Sequence, residues 1–323
     1  MSKPIAGYAL IGDSHTTALI ARDGSVDWLC WPRHDSPALF LRLLDEEKGG
    51  TCAIAFDGLV GISRRYLPGT NSLETTFTTA SGRAVLTDLM PVHPPATLQD
   101  NGPDGEAESR LIRLIRMLRC EEGRVSGRFT VRPSFDYVRR PSTPVPGEDG
   151  TVLFEDGLKR LRVASLPRSL AINEGTVTAA FGLAAGERAH LVLTQGRDGG
   201  EHRTVRPLEG HEGAAERLDA TRRYWEGWSS RCRYKGPYRA AVLRSVLCLK
   251  LLTYAPTGAI IAAPTIGLPE AVPGNRNYDY RYAWLRDASF TVTSFVGLGY
   301  VREAAEYLRF LRHADGSGGA SCI

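Results

Sequence analysis

The chain has little excess of either charge. Its 323 residues include 40 lysine and arginine side chains and 36 aspartate and glutamate side chains, which gives a formal net charge of +4. A dedicated polybasic binder of nucleic acid is therefore excluded. The hydrophobic fraction of 42% and the charged fraction of 24% match ordinary globular proteins. Together with the length, they predict one or two folded domains.

Long apolar segments are also missing. No apolar run reaches about 18 residues without a charge, which argues against a membrane-spanning helix. Residues 1–10 lack the apolar core of a secretory signal. We therefore expect a cytoplasmic protein with neither a membrane nor a nucleic acid as its partner.

The cysteines and histidines lack the spacings of metal ligands or of a disulfide framework. No Cys-x-x-Cys pair occurs, and residues 196–200 lack the Gly-Lys-Ser/Thr end of a phosphate-binding loop. We predict inert thiols, no metal site and no cofactor. The residues concerned are Cys30, Cys52, Cys120, Cys232, Cys248 and Cys322, and His15, His34, His93, His190, His202, His211 and His313.

The chain up to about residue 206 has the pattern of β structure. Phe129 and Val131 alternate with polar residues, as in half-buried strands. Residues 73–80 and 84–89 flank a short glycine-containing turn, which predicts a hairpin. Arginines recur every three residues in the stretch 110–119. That spacing fits the edge of a helix as well as a strand.

From about residue 212 the pattern changes to helix. Leu218, Trp225 and Trp228 share one face of an otherwise polar segment, which predicts an amphipathic helix. A second helix is expected to open at Gly236-Pro237, because proline suits a first helical turn. Its apolar residues lie on most sides, so we expect it to be buried.

Two more helices follow a loop that is rich in proline and glycine and extends to Asn277. One is predicted from about Trp284 to Leu298 and ends at Gly299. The other ends near His313, and the tail after it has no periodicity. Its predicted apolar face comprises Val301, Ala304, Ala305, Leu308 and Leu311.

Residues 275–287 concentrate aromatic and charged side chains at the start of the third helix. Aromatic rings stack on the apolar face of a sugar, while a guanidinium and a carboxylate fix its hydroxyl groups. Arg286 and Asp287 should point about 100° apart on a helix, which favours a shared ligand over a mutual salt bridge. They could equally be structural ions at a helix N-terminus. The candidate binding residues are Tyr280, Tyr282, Trp284, Arg286 and Asp287.

Several segments in order resemble glycoside hydrolase family 15, the family of glucoamylases and bacterial-type trehalases. The segment 277–290 resembles its substrate-binding stretch, and residues 11–37 and 251–258 match as well. Shorter matches lie at 64–68 and 87–91, so the resemblance extends from about residue 5 to residue 313. Such a series is far more specific than any single motif.

The resemblance implies an α+β multidomain fold. An antiparallel β-supersandwich would occupy residues 1–210, a linker helix 211–235, and the first helices of an (α/α)6 barrel 236–323. It also implies that the stretch 110–119 is a strand. Twelve helices with their loops need roughly 180 residues. The barrel is therefore expected to be incomplete, with about three helices, in a C-terminally truncated chain.

The resemblance also implies the roles of the candidate residues. Trp284, Arg286 and Asp287 would line the subsite that holds the terminal glucose of an α-glucoside such as trehalose or a maltooligosaccharide. Tyr280 would lie beside the reacting carbon, and Tyr282 would be a nearby aromatic residue.

Catalysis in this family requires two glutamates, a general acid and a general base. In inverting enzymes their carboxyl groups lie about 6.5–9.5 Å apart, which leaves room for water. The resemblance implies that both lie beyond Ile323. Glu303 and Glu306 fall between apolar positions of the last helix, and we expect them on its solvated face.

Two classes of function remain open. The first is a glycosidase that releases terminal α-linked glucose with inversion, as a glucoamylase or trehalase, represented by a chain that is inactive alone. The second is a non-catalytic carbohydrate-binding or interaction module. Calorimetric titration with glucose, maltose and trehalose separates them, because binding supports the module. Uncovered barrel helices would also favour an oligomer.

Overall fold

A computed structural model describes residues 3–92, 111–140, 142–147, 149–155, 160–167, 170–196, 210–271 and 274–316. Seventeen strands and four α-helices lie in these ranges, together with two short 3-10 helices at Ile5–Gly7 and Asp136–Val138. The strands dominate as far as residue 196, and α-helices dominate from residue 210 onward. The sequence prediction of a β half followed by a helical half is therefore confirmed.

A small antiparallel sheet opens the chain, with its four strands in sequential order. Apolar residues fill these strands because the sheet is buried over much of its surface. The strands are β1 (Ala9–Gly12), β2 (Thr17–Ile20), β3 (Val26–Cys30) and β4 (Ala38–Phe40).

A second sheet of eleven antiparallel strands carries most of the β structure. Its main path runs β10-β11-β12-β15-β9-β8-β7-β6, with β5 and β14 paired to β9 and β13 paired to β14. The strands are β5 (Thr51–Phe56), β6 (Leu59–Tyr66), β7 (Leu73–Thr79), β8 (Gly82–Leu89), β9 (Leu111–Arg132), β10 (Thr143–Pro146), β11 (Val152–Glu155), β12 (Arg160–Leu166), β13 (Leu170–Asn173), β14 (Thr176–Ala184) and β15 (Arg188–Gly196).

Strand β9 explains the ambiguous arginine pattern. Its first half lies between β8 and β15 and is buried on both faces, so its apolar residues do not alternate with polar ones. Arg113 and Arg116 are both buried there and point to opposite faces of the sheet. The strand assignment is confirmed for Leu111–Arg132, whereas Arg110 lies outside the described residues. The predicted β7–β8 hairpin is confirmed as well.

The four α-helices are α1 (Gly210–Ser229), α2 (Arg239–Leu251), α3 (Leu285–Leu298) and α4 (Val301–Gly316). Helix α1 is amphipathic, as predicted. Near its start, Ala214 packs with Leu89 and Val192 of the large sheet. Near its end, Trp225 and Trp228 belong to the core that the other helices share. One helix therefore contacts both halves of the molecule.

Two predictions about helix α2 were wrong in detail. It begins at Arg239, after the Gly236-Pro237 pair, which precedes the first turn. It is also only half buried: Val246, Leu247 and Leu251 lie in the core, whereas other apolar residues on its sides remain partly exposed. Leu243 and Leu249, for example, pack against the helical core but keep part of their surface exposed.

Helix α3 ends as predicted. Gly299 caps it with a φ of 95°, in the left-handed region that glycine adopts without strain. Helix α4 follows at once, and its inward face matches the prediction only in part, because Ala304 is buried and Leu311 packs against the helical core. Tyr307 and Phe310 are buried, whereas Val301 and Leu308 are exposed. Helix α4 therefore has two apolar faces. The face with Tyr307 and Phe310 packs against the helical core, whereas the face with Val301 and Leu308 is exposed.

The thiols in the described ranges are mostly buried. The five cysteines in the described ranges are free, four of them buried and Cys248 intermediate in exposure. Cys322 and the tail from residue 317 lie outside the described residues. Among the helices that the structure places, none has the length and apolar character needed to cross a membrane.

Candidate functional site

The candidate residues surround a two-stranded sheet that the sequence did not predict. Strands β16 (Ile266–Pro269) and β17 (Asn277–Asp279) pair where a structureless loop was expected. The Asn277 side-chain amide donates to the Gly267 carbonyl at 2.6 Å. Each strand has only three or four residues, which is too few to show the alternation of apolar and polar residues that predicts a strand.

Backbone hydrogen bonds hold the chain beyond β17 against the preceding segment. The Tyr280 amide donates to the Thr265 carbonyl at 3.3 Å, and the Ala263 amide donates to the Tyr280 carbonyl at 2.8 Å. The Ala262 amide reaches the Tyr282 carbonyl at 3.1 Å. These bonds fix the backbone from which Tyr280 and Tyr282 project, directly before helix α3 begins.

Three aromatic rings form one cluster at this place. Tyr280 stacks on Trp284, with ring centroids 6.2 Å apart and an interplanar angle of 25°. Tyr278 meets both rings edge-on, at centroid distances of 6.1 Å and 6.4 Å. Trp284 is 37% exposed, and Tyr282 is exposed beside the cluster. Open aromatic faces of this kind are suited to stacking on a sugar ring.

Arg286 and Asp287 lie on the first turn of α3, next to the aromatic cluster. The structure corrects the prediction that they would not pair, because Arg286 Nη2 donates to Asp287 Oδ2 at 3.2 Å. The arginine side chain is long enough to cross the helix surface, although the two Cα–Cβ bonds diverge. Arg286 remains 74% exposed, so the pair contributes little stability and its polar atoms stay open to a ligand.

The pKa of Tyr280 is shifted in the aromatic cluster. Desolvation, the charge of Glu270 and a hydrogen bond to that carboxylate raise the pKa of Tyr280 above its ordinary value, while Arg286 opposes the rise. The phenol is consequently neutral at physiological pH. It can donate or accept a hydrogen bond at the candidate site.

Sequence reasoning missed the residue that anchors this site to the β structure. Arg281 is buried, and its guanidinium binds Asp279 twice, at 2.9 Å and 2.7 Å. Its Nη1 also donates to the Ser36 carbonyl at 2.8 Å, in the loop between β3 and β4. Burial lowers the pKa of Arg281, but Asp279 and the Cys30 thiol more than offset this and raise it.

A second hydrogen bond from a side chain to a backbone carbonyl joins the β half to the helical half. The Trp28 indole on β3 donates to the Pro264 carbonyl at 2.7 Å. The alternation Tyr280-Arg281-Tyr282 was the available signal for Arg281. Tyr280 is half-buried and Tyr282 is exposed, and the turn that contains them lets the Arg281 side chain reach the small sheet.

The prediction for Glu303 was wrong. Glu303 is 2% exposed and lies among three helices, where it accepts from the Trp228 indole at 2.5 Å and pairs with Arg231 and Lys250. Burial raises its pKa, but Lys250, the indole and Arg231 outweigh burial and lower it. Glu303 thus faces the helical core with Tyr307, and two basic side chains balance its charge there.

Glu306, the other acid assigned to the solvated face, is partly exposed and pairs with Arg302 at 2.8 Å. The side chain of Asp315 is not among those described. Within the ranges that the structure covers, no group of three or more histidine, cysteine, aspartate or glutamate side chains could hold a metal ion. Beside its aromatic rings the candidate site presents Arg286 and Asp287, together with Glu270, which accepts a hydrogen bond from Tyr280.

Comparison with known proteins finds two family matches. Residues 236–315 match the glycosyl hydrolases family 15, and residues 1–100 match the trehalase-like N-terminal family. The first match contains the complete candidate site. The second contains the small sheet and the loop to which Arg281 is anchored.

Proteins with similar sequences include trehalases from bacteria and an archaeon. The chain is 35% identical to a trehalase of Mycolicibacterium smegmatis, over 97% of this chain and 48% of that protein. It is 34% identical to one of Mycobacterium tuberculosis, over 97% and 47%, and 32% identical to one of Thermoplasma acidophilum, over 90% and 47%. The chain spans about half the length of the curated relatives it matches.

A solved structure shares the fold. A bacterial glucoamylase, crystallised as a complex with acarbose, superposes with a TM-score of 0.61 over 97% of this chain and 50% of that chain. The sequence identity is 11%. The chain thus has the α+β fold of that glucoamylase over the matched part, with a large antiparallel sheet and four helices.

Proposed function

Because the chain belongs to glycosyl hydrolase family 15, we propose that it forms the part of an α-glucoside hydrolase that holds the terminal glucose. The observation that carries this proposal is the Tyr280–Trp284 stack beside the Arg286–Asp287 pair. The rings offer an apolar platform, and the charged pair offers donors and acceptors for hydroxyl groups.

The finer architecture is part of the same proposal. Residues 1–210 would form a β-supersandwich, 211–235 a linker helix, and 236–323 the first helices of an (α/α)6 barrel. Helices α2, α3 and α4 are three helices in that last range, in agreement with this count. The contact of Arg281 with the Ser36 carbonyl supports a role for the β domain in holding the glucose subsite.

Hydrolysis with inversion needs a general acid and a general base on opposite sides of the scissile bond. Glu303 is committed to Trp228, Arg231 and Lys250, and Glu306 to Arg302. We therefore propose that both catalytic groups lie outside the described residues. The names of the similar sequences favour trehalose as the first substrate to test, with maltose as the second.

The 323-residue chain is expected to release no glucose from trehalose or maltose above the buffer background. The same chain should show no saturable binding of glucose in calorimetric titration, because Trp284 and Arg286 remain open to water. Productive sugar pockets enclose most of their ligand. A coupled glucose assay and isothermal titration measure the two quantities on one preparation.

Each outcome of these measurements decides between two functions. Turnover would contradict the placement of the catalytic groups. Saturable binding that is lost in Arg286→Ala and kept in the matched control Arg309→Ala, an exposed arginine on α4, would favour the non-catalytic module. The engaged carboxylates Glu303 and Glu306 are the observation that keeps this second candidate open.

We also propose that the chain associates through its helices. Leu285, Phe290 and Val296 on α3 and Val301 and Leu308 on α4 are exposed apolar residues. Contiguous apolar patches of more than a few hundred Å² promote association. Light scattering should give a mass above the 35.3 kDa of one chain. A monomer at all concentrations would contradict this, and Phe290→Glu should lower the mass if the patch is responsible.

A further inference from the structure

Glu270 follows strand β16 and contacts the aromatic cluster at Tyr280. Its Oε1 accepts from the Tyr280 hydroxyl at 3.4 Å. Its Oε2 lies 3.8 Å from Arg276 Nη1, just before β17. The two carboxylate oxygens therefore have separate partners: one faces the tyrosine and the other faces the arginine.

The backbone places both ends of this contact on one support. The Glu270 amide donates to the Arg276 carbonyl at 3.3 Å, and Tyr280 is bonded through its own amide to Thr265. Strands β16 and β17 thus fix the spacing between the Glu270 and Tyr280 backbones. Only side-chain torsions remain free, and the hydrogen bond and the stack on Trp284 restrict those of Tyr280.

The direction of this hydrogen bond has a chemical consequence. An ionised carboxylate has no proton to donate, so the Tyr280 hydroxyl must be the donor. Its proton is then directed at Glu270, and the lone pairs of the phenol oxygen are left for another partner. That partner must be a donor, such as a sugar hydroxyl or water.

We propose that Glu270 is a positioning residue of the glucose subsite, which holds the Tyr280 hydroxyl as a donor and so presents the phenol oxygen as an acceptor to a sugar hydroxyl. The proposal rests on the proposed function for the identity of the ligand. The Glu270–Tyr280 contact itself needs no sugar and can be tested without one.

The test is a pH titration of Tyr280 in the sugar-free chain. Tyrosines labelled with ¹³C at Cζ are observed by NMR, and Tyr280→Phe identifies the resonance of Tyr280. Glu270→Gln removes the negative charge, so the pKa of Tyr280 should fall from its raised value toward the ordinary one. Glu270→Asp keeps the charge but withdraws the oxygens, and it should lower the pKa as well if the hydrogen bond is the cause.

Controls separate this effect from a general disturbance. Glu226→Gln removes an exposed carboxylate from helix α1 and should leave the Tyr280 titration unchanged. An unchanged titration in Glu270→Gln would overturn the proposal. A fall in Glu270→Gln without any fall in Glu270→Asp would also overturn it, because charge alone would then explain the effect. Turnover of trehalose or maltose by this chain would contradict the proposed function and leave this titration intact.

Discussion

Replacing Asp88 with alanine is expected to lower the free energy of unfolding by about 3–5 kcal/mol, because it leaves a buried arginine without its counter-ion. Asp88 on β8 faces Arg116 on β9, and both side chains are inaccessible to solvent. The guanidinium binds the carboxylate at 2.7 Å and 3.2 Å. Urea unfolding followed by circular dichroism measures the change.

The Arg116 guanidinium also donates hydrogen bonds to three separate segments, which are strand β8, strand β5 and the turn before β3. Arg116 donates to the Gly24 carbonyl beside β3 and to the Cys52 carbonyl on β5 at 3.2 Å. Burial raises the pKa of Asp88, and Arg116 opposes that rise. Losing the carboxylate therefore leaves one positive charge in the core between the two sheets, where water cannot solvate it.

A matched control lies nearby. Glu74 on β7 pairs with Arg65 at 2.9 Å, but Arg65 is largely exposed. Glu74→Ala should therefore cost less than about 1 kcal/mol. The double variant Asp88→Leu/Arg116→Met removes both charges and should recover most of the stability lost by Asp88→Ala. Equal losses for Asp88→Ala and Glu74→Ala would show that the buried pair has no special energetic role.

Local patterns were sufficient for the elements whose signals lie within a few residues. The β7–β8 hairpin follows from two short apolar runs on either side of a few turn residues, and the end of α3 follows from the left-handed Gly299. The candidate segment 277–287 was likewise visible, because its aromatic and charged residues are consecutive. The structure gathers Tyr280, Trp284 and Arg286 at the start of one helix, as that proximity suggests.

Contacts between distant parts of the chain could not be predicted from such local patterns. Whether Glu303 faces water or Lys250 depends on how α2 and α4 pack, and both orientations fit an amphipathic helix. The bond from Arg281 to Ser36 likewise depends on where the small sheet lies. Whether a charged residue is buried depends on the partners that the fold brings to it. Those partners are distant in the chain, so they cannot be identified from the neighbouring sequence.

Acidification is expected to destabilise the chain through His34, which lies between the small sheet and the helical half. His34 is buried, and neither of its ring nitrogens has a hydrogen-bond partner among the residues that the structure describes. Tyr254 contacts the ring edge-on, and Asp13, His15 and Arg281 are the charged or titratable groups around it. Burial lowers the pKa of His34 to about 4, with His15 and Arg281 acting in the same direction against Asp13.

The sign of the effect follows from which state binds the proton. The unfolded chain protonates His34 near its ordinary pKa of about 6.5, whereas the folded chain does so only near 4. Stability is therefore complete above about pH 6.5 and falls as the pH decreases toward the folded value. This residue alone should cost about 2 kcal/mol between pH 7.5 and pH 5.

Substitution isolates this contribution from the rest of the acid response. His34→Leu removes the titrating group, so its free energy of unfolding should depend on pH less steeply, by about one proton below pH 6.5. His313→Leu, at an exposed position on α4, should leave the slope unchanged. Identical slopes for wild type and His34→Leu would mean that the buried ring is protonated without cost. His34 adjoins Arg281, whose Nη1 lies 3.5 Å from the His34 carbonyl oxygen, so a confirmed slope would place an acid-sensitive group beside the contact that anchors the candidate sugar site.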